Sequence, residues 1–103
     1  MLDQRQGKLR ITDTGLRVDV DTALTVTNTK RVKVTVLLDR MGSVTGVDLR
    51  PDGFAGIVVM IGTHESVAKS EAGVEVSLHE DANGQLAFID LPRRFSHSAK
   101  TLF

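Results

Sequence analysis

The chain has no cysteine, no tryptophan and no tyrosine, only two prolines and four phenylalanines, and no surplus of charge of either sign. Each gap closes off a class of chemistry. Without cysteine there can be no disulfide, thiol nucleophile or thiolate metal site. Phe54, Phe88, Phe95 and Phe103 are the only aromatics, so the stacking platform of a single-stranded nucleic-acid binder is not expected. Thirteen Lys and Arg balance thirteen Asp and Glu, and no global field draws the protein to nucleic acid or an anionic membrane. No apolar run nears the ~20 residues that a membrane span needs. The opening "MLDQRQGKLR" is polar where a secretory signal carries an apolar stretch, which makes the cytoplasm the expected setting.

What remains is ordinary globular material: 103 residues, 41% apolar and 25% charged, enough for one core and too little for two. A single domain over 1–103 is expected, with a polar N-terminal arm over 1–8 and a tail over 92–103. Its core must be aliphatic.

Period-two patterning dominates. Leu16, Val18, Val20, Leu24 and Val26 take even positions with polar residues between them, and Val32, Val34, Val36 and Leu38 repeat the pattern. Two such strands predict a hairpin with Asn28, Thr29 and Lys30 as its loop, setting Val26 against Val32 and Leu24 against Val34. "DRMG" reads as a turn, and the parity switch from Val44 to Val47 and Leu49 across Gly46 predicts a β-bulge. "FAGIVVMI" is apolar at consecutive positions, as in a strand covered on both faces or at a subunit contact. "THESVAKSEAG" accommodates either a short helix over 65–72 or a structured loop, and Asn83-Gly84 signals a second hairpin. The expected fold is all-β: a small antiparallel barrel or sandwich of six to seven strands, with room for one short helix. Val18, Val20, Leu24, Val26, Val32, Val34, Val36, Ile57, Val59, Val76, Leu86 and Phe88 are its expected core.

Few residues suggest chemistry. His64, His79 and His97 lack the spacing of a local metal site, and Ser96-His97-Ser98 lacks the strand-to-helix elbow of a nucleophile. No catalytic residue, metal or cofactor is assigned. Arg93, Arg94 and Lys100 around Phe95 form a small basic patch. The segment "VDLRPDGFAG" places Asp48, Arg50 and Gly53 around a Pro-Asp-Gly turn, where a glycine permits close backbone approach and an arginine fits phosphate oxygens.

A strand ending at Asp48, a turn with Gly53 and a new apolar strand resemble the Asp-x-Ser-x-x-Gly segment of PilZ domains, small β-barrels that bind cyclic di-GMP. Asp48 and Gly53 match, and Arg50 stands where that family has serine. The counterparts of the family's Arg-x-x-x-Arg pair are Arg5 and Arg10, one residue too widely spaced, or Lys30-Arg31 without a first arginine. The resemblance spans roughly residues 30–91 in strand order and implies an atypical member with Asp48, Arg50, Gly53 and Arg31 at the ligand. Taken together, the residues favour a non-enzymatic interaction module for a protein partner or its own copies, with "FAGIVVMI" seeking cover. Cyclic-dinucleotide sensing is the alternative.

Overall fold

The computed structural model describes residues 3–13, 15–50 and 57–95. Eight strands are formed: β1 (Asp3–Gln6), β2 (Lys8–Thr12), β3 (Gly15–Asp19), β4 (Asn28–Leu38), β5 (Val44–Asp48), β6 (Ile57–Met60), β7 (Lys69–Glu80) and β8 (Leu86–Leu91). Their hydrogen-bonded order is β1-β6-β5-β4-β7-β8-β3-β2. The two ends of that order are consecutive in the chain and separated by Gly7 alone, so the sheet nearly closes into a barrel. The all-β expectation stands; the finer count does not. Among the described residues there are eight strands rather than six or seven, and the sheet is mixed, because β1 lies parallel to β6. No α-helix forms among the described residues, and 3-10 turns include His64–Ser66 and Arg93–Phe95. The strands that the apolar pattern does not announce are the two at the N-terminus, β1 and β2, and "DQRQ" in particular pairs through its backbone alone.

Two corners give the barrel its shape. At the first, the N-terminal segment leaves β6 at Gln6 and joins β3 at Lys8. Gly7 is buried there, and its N–H donates to the Met60 carbonyl at 2.8 Å. A Cβ on Gly7 would lie 2.7 Å from Val59 Cγ1 and 2.8 Å from Val18 Cγ1, so the two sides of the barrel meet over a position with no room for a side chain. The second corner is the long β4–β7 ribbon. β5 pairs only with Thr35–Leu38 of β4, while β8 pairs only with Ser77–Glu80 of β7. The ribbon bends at a bulge between Val34 and Val36, opposite Gly73, whose φ of +69° is a conformation that L side chains rarely adopt.

The core fills with Leu16, Val18, Val34, Val36, Val47, Leu49, Val59, Met60, Val76, Leu78 and Ile89, all essentially without exposure. Val32 and Leu86 are buried as expected, and Val20 and Ile57 pack half-buried against the cluster. Val58, Val59 and Met60 are consecutive and all buried, so both faces of β6 are covered, with Val59 on the core side and Val58 and Met60 on the other. Within "FAGIVVMI", Ile57 and Ile61 are half-buried on either side of these three; Phe54, Ala55 and Gly56 lie outside the described residues.

The hairpin expected at Asn28–Lys30 is overturned. β3 ends at Asp19, residues 20–27 form no strand, and Asn28, Thr29 and Lys30 are the first residues of β4. The Val20 and Asp21 N–H groups both donate to the Ala87 carbonyl, and the Ala23 N–H turns back to Asp21 Oδ1 at 3.0 Å. An aspartate that captures the backbone two residues on competes with strand extension, and here it stops the ladder. Leu24 and Val26 are left half-buried outside the core. β4 pairs instead with β7, from Asn28 opposite Glu80 to Leu38 opposite Lys69.

Bulges explain the parity errors. The skip between β4 and β5 falls on Thr45, directly before Gly46, so Val44 and Val47 both point inward as the switch predicted. A skip the sequence did not announce, Glu80 opposite Leu86 and His79 opposite Phe88, buries Leu86 and Ala87 together and turns Phe88 outward. Phe88 is thus removed from the expected core, and Ala87, Ile89 and Leu91 take the inner face.

Two turns share one chemistry. In Asp39–Ser43 the Asp39 N–H donates to the Ser43 carbonyl, the Gly42 N–H to the Asp39 carbonyl, and the Met41 and Ser43 N–H groups to Asp39 Oδ1. Asp81–Gln85 repeats all four bonds, with Asn83 and Gln85 donating to Asp81 Oδ1. The hairpin signalled by Asn83-Gly84 therefore exists, but its only left-handed residue is Gly84, at φ +78°, and the turn is organised by Asp81. Replacing Asp81 by Ala orphans two N–H groups and should lower stability by about 1–2 kcal/mol. Urea denaturation of Asp81→Ala and Asp39→Ala checks this, and the two losses should be similar and additive.

Candidate functional site

The residues singled out around Asp48 close on one another. The Arg50 guanidinium grips Asp48 in a fork, Nε to Oδ1 at 2.9 Å and the terminal nitrogen to Oδ2 at 2.6 Å, while the Arg50 N–H also donates to Oδ1 at 3.0 Å. Arg31 reaches across to Glu75 on β7, on the far side of β4 from β5, with Nε 2.8 Å from Oε1. The chain does not bring Arg31 and Arg50 together. Gly53 and its Pro-Asp-Gly turn lie outside the described residues, as do His97 and Lys100. Arg5 sits on β1 and Arg10 on β2, on strands that join opposite sides of the barrel, and Arg10 binds Asp19 at 3.1 Å.

The Arg50 hydrogen bonds hold the Asp48 carboxyl below the usual carboxylate range, against the opposing effect of partial burial. A carboxyl whose pKa is depressed on folding contributes stability above its unfolded pKa, about 3.9, and loses it as pH falls through the folded value. Arg50→Ala should therefore be less stable than the native protein at pH 7, and the difference should vanish in strong acid. Urea midpoints at pH 7 and pH 2 measure it.

A denser polar arrangement, which the sequence reading missed, covers the outer face of β2, β3, β8, β7 and β4. Register sets two rows. Asp19, Phe88, His79 and Thr29 stand side by side on four strands, and Arg10, Arg17, Asp90, Ser77 and Arg31 stand beside them on five. Contacts run both along a row and diagonally between the two. Arg17 Nε lies 2.9 Å from Asp90 Oδ1, and His79 Nε2 lies 2.9 Å from Asp90 Oδ2. Arg17 and His79 also both pack on the Phe88 ring, with the guanidinium carbon 4.0 Å and the imidazole centroid 4.1 Å from its centroid. On its other side His79 Nδ1 lies 3.0 Å from Thr29 Oγ1.

These partners fix the tautomer of the neutral imidazole. An ionised Asp90 only accepts, so His79 Nε2 carries the proton toward it. Nδ1 is then a lone pair, and the Thr29 hydroxyl donates to it. The relay across the two rows reads carboxylate, imidazole, hydroxyl. Thr29 is exposed, while the His79 and Asp90 side chains are only 16% and 24% exposed. No signal within the sequence joins these residues: they are 50 and 11 positions apart, and only the register of three strands aligns them.

Two hollows adjoin this surface or its opposite end. A groove of about 300 Å³ runs beside β7 and is lined by Arg31, Glu75, Ser77, Asp90, Leu91 and Pro92. An open cleft of about 530 Å³ lies between the Asp39 turn and residues 65–68, with Met41 84% exposed at its rim. The basic patch is partly neutralised: Arg94 pairs with Glu71 and stacks on Phe95, which is buried, and Arg93 donates to the Asp13 carbonyl. Among the described residues no three His, Asp or Glu side chains converge as a metal would require. Comparison with known protein families, with curated proteins and with solved structures finds no match.

Proposed function

We propose that the protein is a non-enzymatic interaction module that takes an extended segment of another protein chain, a partner's or a second copy's, onto the half of β7 that has no second strand beside it among the described residues. The observation that carries this reading is the β4–β7 corner. From Lys69 to Val76 β7 has β4 on one side and, among the described residues, no strand on the other, since β8 begins pairing at Ser77. Lys69, Ser70, Ala72, Gly73 and Glu75 are exposed along it. A row of outward N–H and C=O groups is a template for a further strand, and the adjoining groove supplies a place for its side chains.

The test combines light scattering over a concentration series with amide NMR during titration of seven-residue extended peptides. Association by a second copy or by a peptide should perturb the amides of Lys69–Val76 first. Ala72→Lys, a charge on an exposed edge position, should abolish it while the fold persists. A strict monomer at high concentration whose Lys69–Val76 amides respond to no peptide would defeat the proposal.

The alternative, a cyclic di-GMP sensor, requires Arg50 to release Asp48 before its fork can meet a phosphate. Calorimetric titration with cyclic di-GMP should accordingly show no saturable heat. Saturable binding weakened by both Arg50→Ala and Asp48→Ala would install the sensor reading in place of the first.

A further inference from the structure

We infer from the Asp90–His79–Thr29 contacts that Thr29 is a modification site: a nucleophilic hydroxyl that accepts an acyl group from an activated donor, an aryl ester or acyl phosphate. This goes beyond the interaction module and does not depend on it. A threonine hydroxyl is a weak nucleophile at neutral pH, and it becomes competent when a base within hydrogen-bond reach takes its proton and a third group orients that base. Both conditions hold. Thr29 Oγ1 and His79 Nδ1 are 3.0 Å apart, and His79 Nε2 is anchored on Asp90 at 2.9 Å. Arg17 in turn clamps Asp90 through both of its oxygens, and the Phe88 face holds the imidazole plane. Exposure is graded in the useful sense: the nucleophile faces solvent, whereas the base and its orienting carboxylate are shielded.

In the step itself, Thr29 Oγ1 attacks the carbonyl carbon of the donor as its proton passes to His79 Nδ1. The bond between that carbon and the phenolate or phosphate oxygen then breaks, and the leaving group departs with the electron pair. The proton on His79 passes to the leaving group or to water, leaving an acyl ester on Thr29 and a neutral imidazole. His79 and Asp90 act on the hydroxyl in sequence, so Asp90 is a positioning residue: it sets which imidazole nitrogen is the base.

The experiment uses p-nitrophenyl acetate with the full chain, following p-nitrophenolate release together with intact mass and peptide mapping. One acetyl group should appear on Thr29, ahead of every other serine or threonine in the digest. Thr29→Ser should retain the reaction and Thr29→Val should lose it. His79→Gln and Asp90→Asn should each slow it by about 100-fold or more, the usual size of a general-base contribution. Circular dichroism checks each fold, and the isosteric Asp90→Asn carries the comparison should His79→Gln fail to fold. Acetylation confined to amino groups, or a Thr29 rate unchanged in a folded Asp90→Asn, would overturn the inference.

Discussion

Replacing Val34 by Asp should leave a chain that does not fold at 25 °C. Val34 is 1% exposed, sits in the middle of β4 opposite Val74 of β7, and lies next to the bulge where the ribbon turns the corner. Its neighbours in the core are aliphatic, so an aspartate there finds no cation and no donor beyond the ladder already formed. Burying an unpaired carboxylate costs several kcal/mol even after it protonates, and the lost valine contacts add about 1.5–3 more. A domain of this size has about 5–15 kcal/mol in total. Circular dichroism and a thermal scan read the outcome. A cooperative transition within a few degrees of the native one would show that Val34 is not where the structure puts it.

The second large effect is expected at Gly7. A valine there must place three carbons where the structure leaves less than a single Cβ contact, against Val59 Cγ1 on one side and Val18 Cγ1 on the other. Those methyls belong to fully buried β-branched side chains whose χ1 is restricted, so neither has room to swing away. Overpacking of this kind costs about 1–3 kcal/mol for a methyl-sized insertion and more for a branched side chain. Gly7→Ala should therefore shift the urea midpoint markedly, and Gly7→Val should separate β1 from β6 or unfold the domain. Amide exchange distinguishes these, because the Gly7 N–H donates to the Met60 carbonyl and should lose protection first if only the corner opens. A Gly7→Val protein with native stability would mean that the barrel does not close through this residue.

The polar surface is where reading by sequence alone had least purchase. Asp48 and Arg50 attracted attention because they are close in the chain, and closeness is also why they satisfy one another: a fork two residues away reaches its carboxylate before any ligand does. Thr29, His79, Asp90 and Arg17 attracted none, because what unites them is register across four strands. A period-two pattern says which residues share a face of one strand, but it carries no information about which strand lies alongside.

The strand pattern around Val32–Leu38, the apolar stretch over Val58–Met60, the bulge before Gly46 and the turns begun by Asp39 and Asp81 were all determined locally. Alternation, φ preference and side-chain capture of backbone N–H groups act within a few residues, so the chain carries them in plain view. Pairing was decided only by the tertiary structure. β4 has the same alternating face toward β3 as toward β7, and the choice between them fell to Asp21, which ends the first ladder, and to twelve residues of β7 long enough to satisfy all of β4. The parallel β1, the outward turn of Phe88 and the contacts from Asp90 through His79 to Thr29 follow from that choice. Hydrophobic burial rewards any register that keeps valines inside, and only the closure of the whole barrel through Gly7 leaves one register for every strand at once.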